Sequence, residues 1–176
     1  MLQIRKFTVS KKDIDVFYKD GKLEFPEENL APNEYCLLQS QERSSALGRY
    51  NFKEKKLELL MQADKGVWGV YPLNVEQKCV LALLLRDDIP LVTLMGPAGT
   101  GKTLLALACG LRKVFDEDVY SKILVSRPII PLGKDIGYLP GTKEEKMFHW
   151  MQPIYDNLEF LCQSSTGEKN SSDAKD

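Results

Sequence analysis

Eight consecutive residues, Gly96-Pro97-Ala98-Gly99-Thr100-Gly101-Lys102-Thr103, satisfy the spacing G-x-x-x-x-G-K-[ST] at every fixed position. The chemistry that spacing serves is phosphate binding. Glycines let the backbone pass close to an anion and turn successive N–H groups toward it. A helix starting at the loop's end adds the positive end of its dipole. Lys102 can reach β- and γ-phosphates, and the Thr103 hydroxyl can ligate Mg²⁺. A glycine-rich turn that merely caps a helix is the plainer alternative, and the Lys-Thr pair together with the flanking segments argues against it. The expected site is therefore a nucleotide site made by Gly96, Pro97, Ala98, Gly99, Thr100, Gly101, Lys102 and Thr103. Lys102 and Thr103 are its catalytic side chains, and Thr103 is its metal ligand.

The elements that must position this loop are also legible. Ile89-Pro90-Leu91-Val92-Thr93-Leu94-Met95 is a short apolar run suited to a buried parallel strand. Leu104 to Leu111 is rich in helix formers and apolar enough to pack on a sheet. Lys122-Ile123-Leu124-Val125-Ser126 is a second strand candidate, so strand, helix and strand form the first unit of a doubly wound α/β domain. Ligands in such sheets sit beyond the carboxyl ends of the strands. Arg127 and Lys134 leave the second strand there, in a proline-rich loop, and could face a phosphate or a nucleic-acid backbone. Pairing of Arg127 with an acid is the equal alternative.

Upstream, Asn74 and Gln77 have capping-box spacing before an apolar helix over Val80 to Leu85. The Gln77 amide, which both donates and accepts, could instead read an adenine edge. On pattern alone capping is the stronger reading, and the two are compatible. Further back, Ile4, Phe7 and Val9 suggest a short strand, and Ser10 with Asp13 caps a short helix bearing Ile14, Phe17 and Tyr18. Asp20-Gly21 ends that helix, and Lys22-Leu23-Glu24-Phe25 is a further strand candidate. Tyr35 to Gln39, Ala46 to Tyr50 and Leu57 to Met61 read as a β-meander, expected to lean on the core domain because it has few apolar residues. Its basic residues Arg43, Arg49, Lys53, Lys55 and Lys56 could touch nucleic acid, although interspersed Glu42 and Glu54 favour a solvated turn. Downstream, Thr142 to Glu145 is a capping box opening a helix that Pro153 kinks or restarts, and Ile154, Tyr155, Leu158 and Leu161 continue its apolar face.

Composition sets the outer limits. A chain of 176 residues with net charge −1 has room for one domain, alone or with an extension, and has no global electrostatic bias toward nucleic acid. Cys36, Cys79, Cys109 and Cys162 are widely separated and His149 is the lone histidine, which excludes the usual zinc spacings and points to a reducing cytosol. Cys79 and Cys109 lie on apolar helix faces and read as small buried hydrophobes. No apolar run reaches membrane-spanning length, and the N-terminus lacks a signal-peptide core.

Three segments together resemble the PhoH family of phosphate-starvation-type ATPases: Trp68 to Gln77, Met95 to Thr103, and Ser126 to Gly141, joined by Trp150 to Leu158. The likeness runs from about Asn33 to Leu161. It implies ATP and Mg²⁺ as cofactors, a core similar to superfamily 1 helicases, and an adenine contact for Gln77. It also implies single-stranded RNA as a partner; no membrane association and a cytoplasmic location are expected from the lack of a spanning run and from the cysteines. In the parent protein it implies a homo-oligomeric ring, and many members add an N-terminal nuclease domain. The family's Mg²⁺-holding acidic strand does not follow the loop here, since Glu144-Glu145 opens a helix and Asp87-Asp88 precedes the loop. The expected fold is thus a P-loop doubly wound parallel sheet, incomplete and representing the N-terminal half, preceded by a β-rich extension. Its boundaries are 1–66 for the extension, 67–162 for the ATPase domain and 163–176 for a disordered tail. The expected function is an ATP-binding ATPase module whose parent remodels RNA. The competing expectation is a non-catalytic nucleotide-binding or interaction piece. A small-molecule kinase would need later acidic and lid residues that the sequence does not supply.

Overall fold

The computed structural model describes residues 4–25, 29–60, 66–127 and 151–164. They form two units, Met1–Lys65 with Pro72–Ile89, and Gly66–Tyr71 with Pro90–Asp176. The chain is a mixed α/β protein.

The first unit is built on a five-stranded sheet in the order β1-β3-β4-β5-β2. Its strands are β1 (Ile4–Thr8), β2 (Lys22–Glu24), β3 (Tyr35–Gln39), β4 (Ser45–Asn51) and β5 (Lys56–Leu59). The meander expected from the sequence is present, since β3, β4 and β5 pair antiparallel in succession. The two earlier strands flank it: β1 runs parallel to β3 and β2 antiparallel to β5. Helix α1 (Lys11–Asp20) connects these two edge strands. Ser10 and Asp13 cap it reciprocally, and Gly21 ends it at φ 70 with its N–H donating to Phe17 O.

Alternation along the strands decides what each face of the sheet does. Cys36 and Leu38 on β3, Ala46 and Tyr50 on β4 and Leu57 on β5 join Ile14 and Phe17 of α1 in one buried cluster. Gly48 belongs to the same face, where a Cβ would lie 2.8 Å from the Phe17 ring, so only a glycine lets that ring rest on the sheet. The meander, expected to lean on the core domain, packs one of its faces on α1, and the helix Val75–Leu84, which the expected boundaries give to that domain, meets the other. Phe17 and Ile14, fully buried over the sheet, supply the apolar area that the strands alone lack.

The opposite face carries polar groups in register. Tyr35 lies opposite Arg49, and Arg49 opposite Glu58. Helix α2 (Val75–Leu84) meets this face, with the Tyr35 hydroxyl donating to the Cys79 carbonyl at 2.9 Å. Arg49 is buried and donates to Asn33 and Glu58, while Arg86, just beyond α2, reaches the same Glu58 at 3.4 Å. Arg49 is therefore not available to nucleic acid, as its place among the basic residues of the meander had suggested. An arginine on a strand is buried only if its charge is matched, and Glu58 matches it. Lys22, Lys56 and Lys11 likewise pair with Glu54, Glu24 and Glu42, as a solvated face would.

Burial pushes the Glu58 carboxyl up, but hydrogen bonds from Asn51 and Arg49 and the charges of Arg49 and Arg86 outweigh it and hold the carboxyl below its ordinary value of 4.5. A carboxylate with a lowered folded pKa adds stability above its unfolded pKa and loses it as pH falls through the folded one. Glu58→Gln is expected to cost about 2 kcal/mol at pH 7 by weakening hydrogen bonds to a charged group. That difference should shrink as pH falls below 4.5, which denaturant midpoints of both proteins across pH would show.

In the second unit, α3 (Lys102–Leu111) passes into a π-helical turn, Arg112–Asp116, and residues 151–164 form a further helix, α4. Ile154 and Leu161 of α4 are buried, as the apolar face required, and its described part is helical through Pro153. The strands expected at Ile89 to Met95 and Lys122 to Ser126 are not formed, and both stretches are irregular. A strand exists by its ladder, and neither stretch has a paired neighbour among the described residues. Leu91, Met95 and Leu124 are 82%, 80% and 82% exposed, so the two covered faces that a parallel strand requires are missing. The second run still touches α3, where a Cβ on Gly110 would lie 3.1 Å from Ile123. The capping box at Thr142 to Glu145, and His149 and Trp150, lie outside the described residues.

Candidate nucleotide site

The loop before α3 has the shape its residue types require. Gly99 and Gly101 stand at φ 78 and 81, in the left-handed region where a side chain would be strained, and Gly96 stands at φ 158. A Cβ on Gly99 would meet nothing within 4 Å, so the strain there lies in the backbone and the space beside it is open. Gly101 is the N-cap of α3 and offers no side-chain cap, and the first helical bond runs from Leu105 N–H to Gly101 O. The first-turn N–H groups are thus left for an anion.

Lys102, the first residue of α3, folds back over the loop. Its Nζ donates to Gly96 O at 2.9 Å, to Pro97 O at 2.5 Å and to Thr100 Oγ1 at 3.2 Å. The ammonium thereby spans the loop from its last turn to its first residues. Thr103 follows on the exposed side of α3. A left-handed glycine cradle, an uncapped helix N-terminus and a positive charge across the opening form a donor set that suits a polyphosphate. Lys102 and the backbone N–H groups would hold the phosphates, and Thr103 a divalent cation. No cluster of three His, Cys, Asp or Glu side chains able to hold a metal by itself occurs among the described residues.

Gln77 lies in the other unit, on the first turn of α2. Asn74 Oδ1 accepts from Gln77 N–H at 2.8 Å, and Gln77 Oε1 accepts from Leu73 N–H at 2.7 Å. The capping reading is therefore met, with the return bond falling one residue before the N-cap rather than on it. Arg127 is exposed in the irregular run after residue 120, and Lys134 lies outside the described residues. Cys79 and Cys109 are buried as expected, and burial pushes both thiols up to about 12. They are packing groups rather than nucleophiles.

Two features of this unit escape residue-by-residue reading. Val67 and Val70 exchange both backbone hydrogen bonds at 2.9 Å around Trp68 (φ 50) and Gly69 (φ 73), a two-residue turn of type I′. Trp68 Nε1 then donates to Asp116 Oδ2 at 2.9 Å, and its ring stands 5.9 Å from that of Phe115. The Trp-Gly pair was the only local signal. The other is the role of the Thr100 hydroxyl: the sequence places Thr100 in the site, but the spacing assigns its side chain no function.

A family model described as PhoH-like protein matches residues 69–175. Protein PhoH2 of Bacillus subtilis is 56% identical over 132 residues, covering 74% of this chain and 30% of that protein. Protein PhoH2 of Mycolicibacterium smegmatis is 39% identical over 155 residues, covering 88% of this chain and 35% of that protein. A PhoH-like protein of Mycobacterium tuberculosis is 42% identical over 102 residues, covering 58% of this chain and 27% of that protein. The chain thus spans about a third of the length of the curated relatives it matches. No solved structure matches it.

Proposed function

The chain belongs to the PhoH family, and on that premise we propose that it is an ATP-binding module of a P-loop ATPase whose parent protein acts on RNA as a helicase-like remodelling enzyme. The observation that carries this reading is the loop itself, with left-handed Gly99 and Gly101, the uncapped start of α3 and Lys102 drawn across it. Backbone N–H groups and Lys102 bind the phosphates, and Thr103 holds Mg²⁺. When bound, Mg²⁺ would supply charge neutralisation to the polyphosphate. An adenine contact for Gln77 is proposed for the parent on the family resemblance alone; in this chain its backbone N–H is tied to Asn74 and its Oε1 to Leu73 N–H. The parental fold is a doubly wound parallel sheet in which the apolar runs at 89–95 and 122–126 are strands. Single-stranded RNA, a ring assembly and a cytoplasmic setting are proposed for the parent on the same basis. No helix among the described residues is long and apolar enough to cross a membrane.

Hydrolysis additionally requires a carboxylate at the end of a neighbouring strand to hold Mg²⁺ and organise water. No strand candidate of this sequence ends in Asp-Glu, which favours nucleotide binding without turnover for these 176 residues by themselves. The test is Mg-ATP binding and phosphate release by the purified chain, with and without single-stranded RNA. Saturable binding with no turnover is the expected result. Absence of binding would overturn the nucleotide reading, and Lys102-dependent turnover would replace the non-catalytic reading with a complete ATPase.

A further inference from the structure

Resting on the nucleotide reading above, we infer that Thr100 is a positioning residue whose hydroxyl holds Lys102 over the loop before phosphate arrives. The motif spacing leaves this position free, so nothing in the phosphate-binding pattern calls for a hydroxyl here. The structure gives it a defined place. Thr100 Oγ1 donates its one hydrogen to Pro97 O at 3.0 Å. With the hydrogen committed there, its lone pairs face outward and accept from Lys102 Nζ at 3.2 Å. Pro97 O also accepts from Nζ, at 2.5 Å. The hydroxyl, the ammonium and the Pro97 carbonyl therefore close a three-membered hydrogen-bonded ring across the loop. Gly96 lies beneath that ring, since a Cβ built on it would come 3.6 Å from Thr100 Oγ1.

The consequence follows from chain entropy. A loop with glycines at 96, 99 and 101 has an unusually large set of accessible backbone states, and a lysine carries one of the most flexible side chains. Ordering both at the moment of binding would count against affinity. The Thr100 ring orders them beforehand. It fixes the turn from Pro97 to Thr100 and keeps the ammonium at the loop's mouth. An incoming phosphate then has only to replace weak neutral acceptors of Nζ, a hydroxyl and two carbonyls, with charged oxygens. Thr100 need not touch the nucleotide to do this.

The experiment uses the full chain and two variants. Thr100→Val keeps the branched shape and removes the hydroxyl, whereas Thr100→Ser keeps the hydroxyl. Lys102 exposure is read without nucleotide, by limited reductive methylation and mass spectrometry of individual lysines. Mg-ATP affinity is read separately by titration. Thr100→Val should raise methylation of Lys102 several-fold while leaving exposed Lys53 and Lys55 unchanged, and should weaken Mg-ATP roughly tenfold. Thr100→Ser should restore both. Equal Lys102 methylation in all three proteins would overturn the inference. Raised methylation with unchanged ATP affinity would also overturn it, because the tether would then position nothing. A wild-type chain that does not bind ATP sinks the nucleotide reading instead, and the methylation arm still reports whether the tether exists.

Discussion

Lys102→Ala should abolish measurable Mg-ATP binding while leaving the thermal unfolding of the chain nearly unchanged. The size of the loss follows from what the side chain does in the folded loop. Its ammonium supplies a positive side-chain charge at the loop, where it bridges Gly96 O, Pro97 O and Thr100 Oγ1. Removing it therefore deletes a charged donor to phosphate, worth roughly 1.5–3 kcal/mol as a hydrogen bond to an ionised group. It also releases the loop's closure, so left-handed Gly99 and Gly101 must be ordered at the ligand's expense. The two effects compound to a loss of a hundredfold or more, since each 1.4 kcal/mol is a factor of ten. Folding is spared because Lys102 begins α3 at the solvent side, and the buried contacts of that helix come from Leu105, Leu107, Ala108 and Leu111. Isothermal titration with Mg-ATP alongside a melting curve separates the outcomes. Unchanged affinity in the variant would remove the loop from nucleotide binding, and a collapsed melting curve would make Lys102 a folding residue.

That loop could be read from the sequence because its chemistry is local. Glycines, lysine and threonine at fixed offsets impose their backbone angles and reach within eight residues, so no distant partner is needed to recognise them. The same holds for Ser10 with Asp13 and Asn74 with Gln77, whose caps close over three residues. The meander was visible because three short runs, Tyr35 to Gln39, Ala46 to Tyr50 and Leu57 to Met61, are separated by polar turns. What such runs do not encode is neighbourhood. Nothing in Ile4–Thr8 says that it pairs with β3 rather than with the strand after α1. Arg49 illustrates the same limit: as a letter it is one cation among several near a turn. Register alone places it between Tyr35 and Glu58 and turns it into a buried structural group. The apolar runs at 89–95 and 122–126 fail in the opposite direction. Their composition suits a buried strand, but a ladder needs partners, and among the described residues they have none.

The Trp68-Gly69 turn shows how much of the second unit depends on a geometry that no periodicity announces. Gly69→Ala is expected to lower the stability of that unit by about 3 kcal/mol, strained backbone and overpacking together. Gly69 stands at φ 73, where an alanine is disfavoured, and the type I′ turn requires a positive angle there as well as at Trp68. A methyl at this position would also lie 2.6 Å from Ser164 Cβ and 2.9 Å from the Ser164 carbonyl carbon. The latter is backbone of α4 and cannot rotate away as a side chain would. The turn or the helix end must therefore shift. If the turn gives, Trp68 loses its alignment with Asp116 and its contact with the Phe115 ring. If α4 gives, the buried anchors Ile154 and Leu161 are drawn outward. Trp68→Phe tests the lesser of these losses, since it removes the indole donor without adding volume, and it should cost about 1 kcal/mol. Limited proteolysis with intact-mass detection, which follows opening within this unit, should therefore find Gly69→Ala cleaved far faster than Trp68→Phe, and Trp68→Phe slightly faster than the unchanged chain. Equal protection of Gly69→Ala and the unchanged chain would mean that the turn and α4 are not packed as the geometry at Ser164 requires.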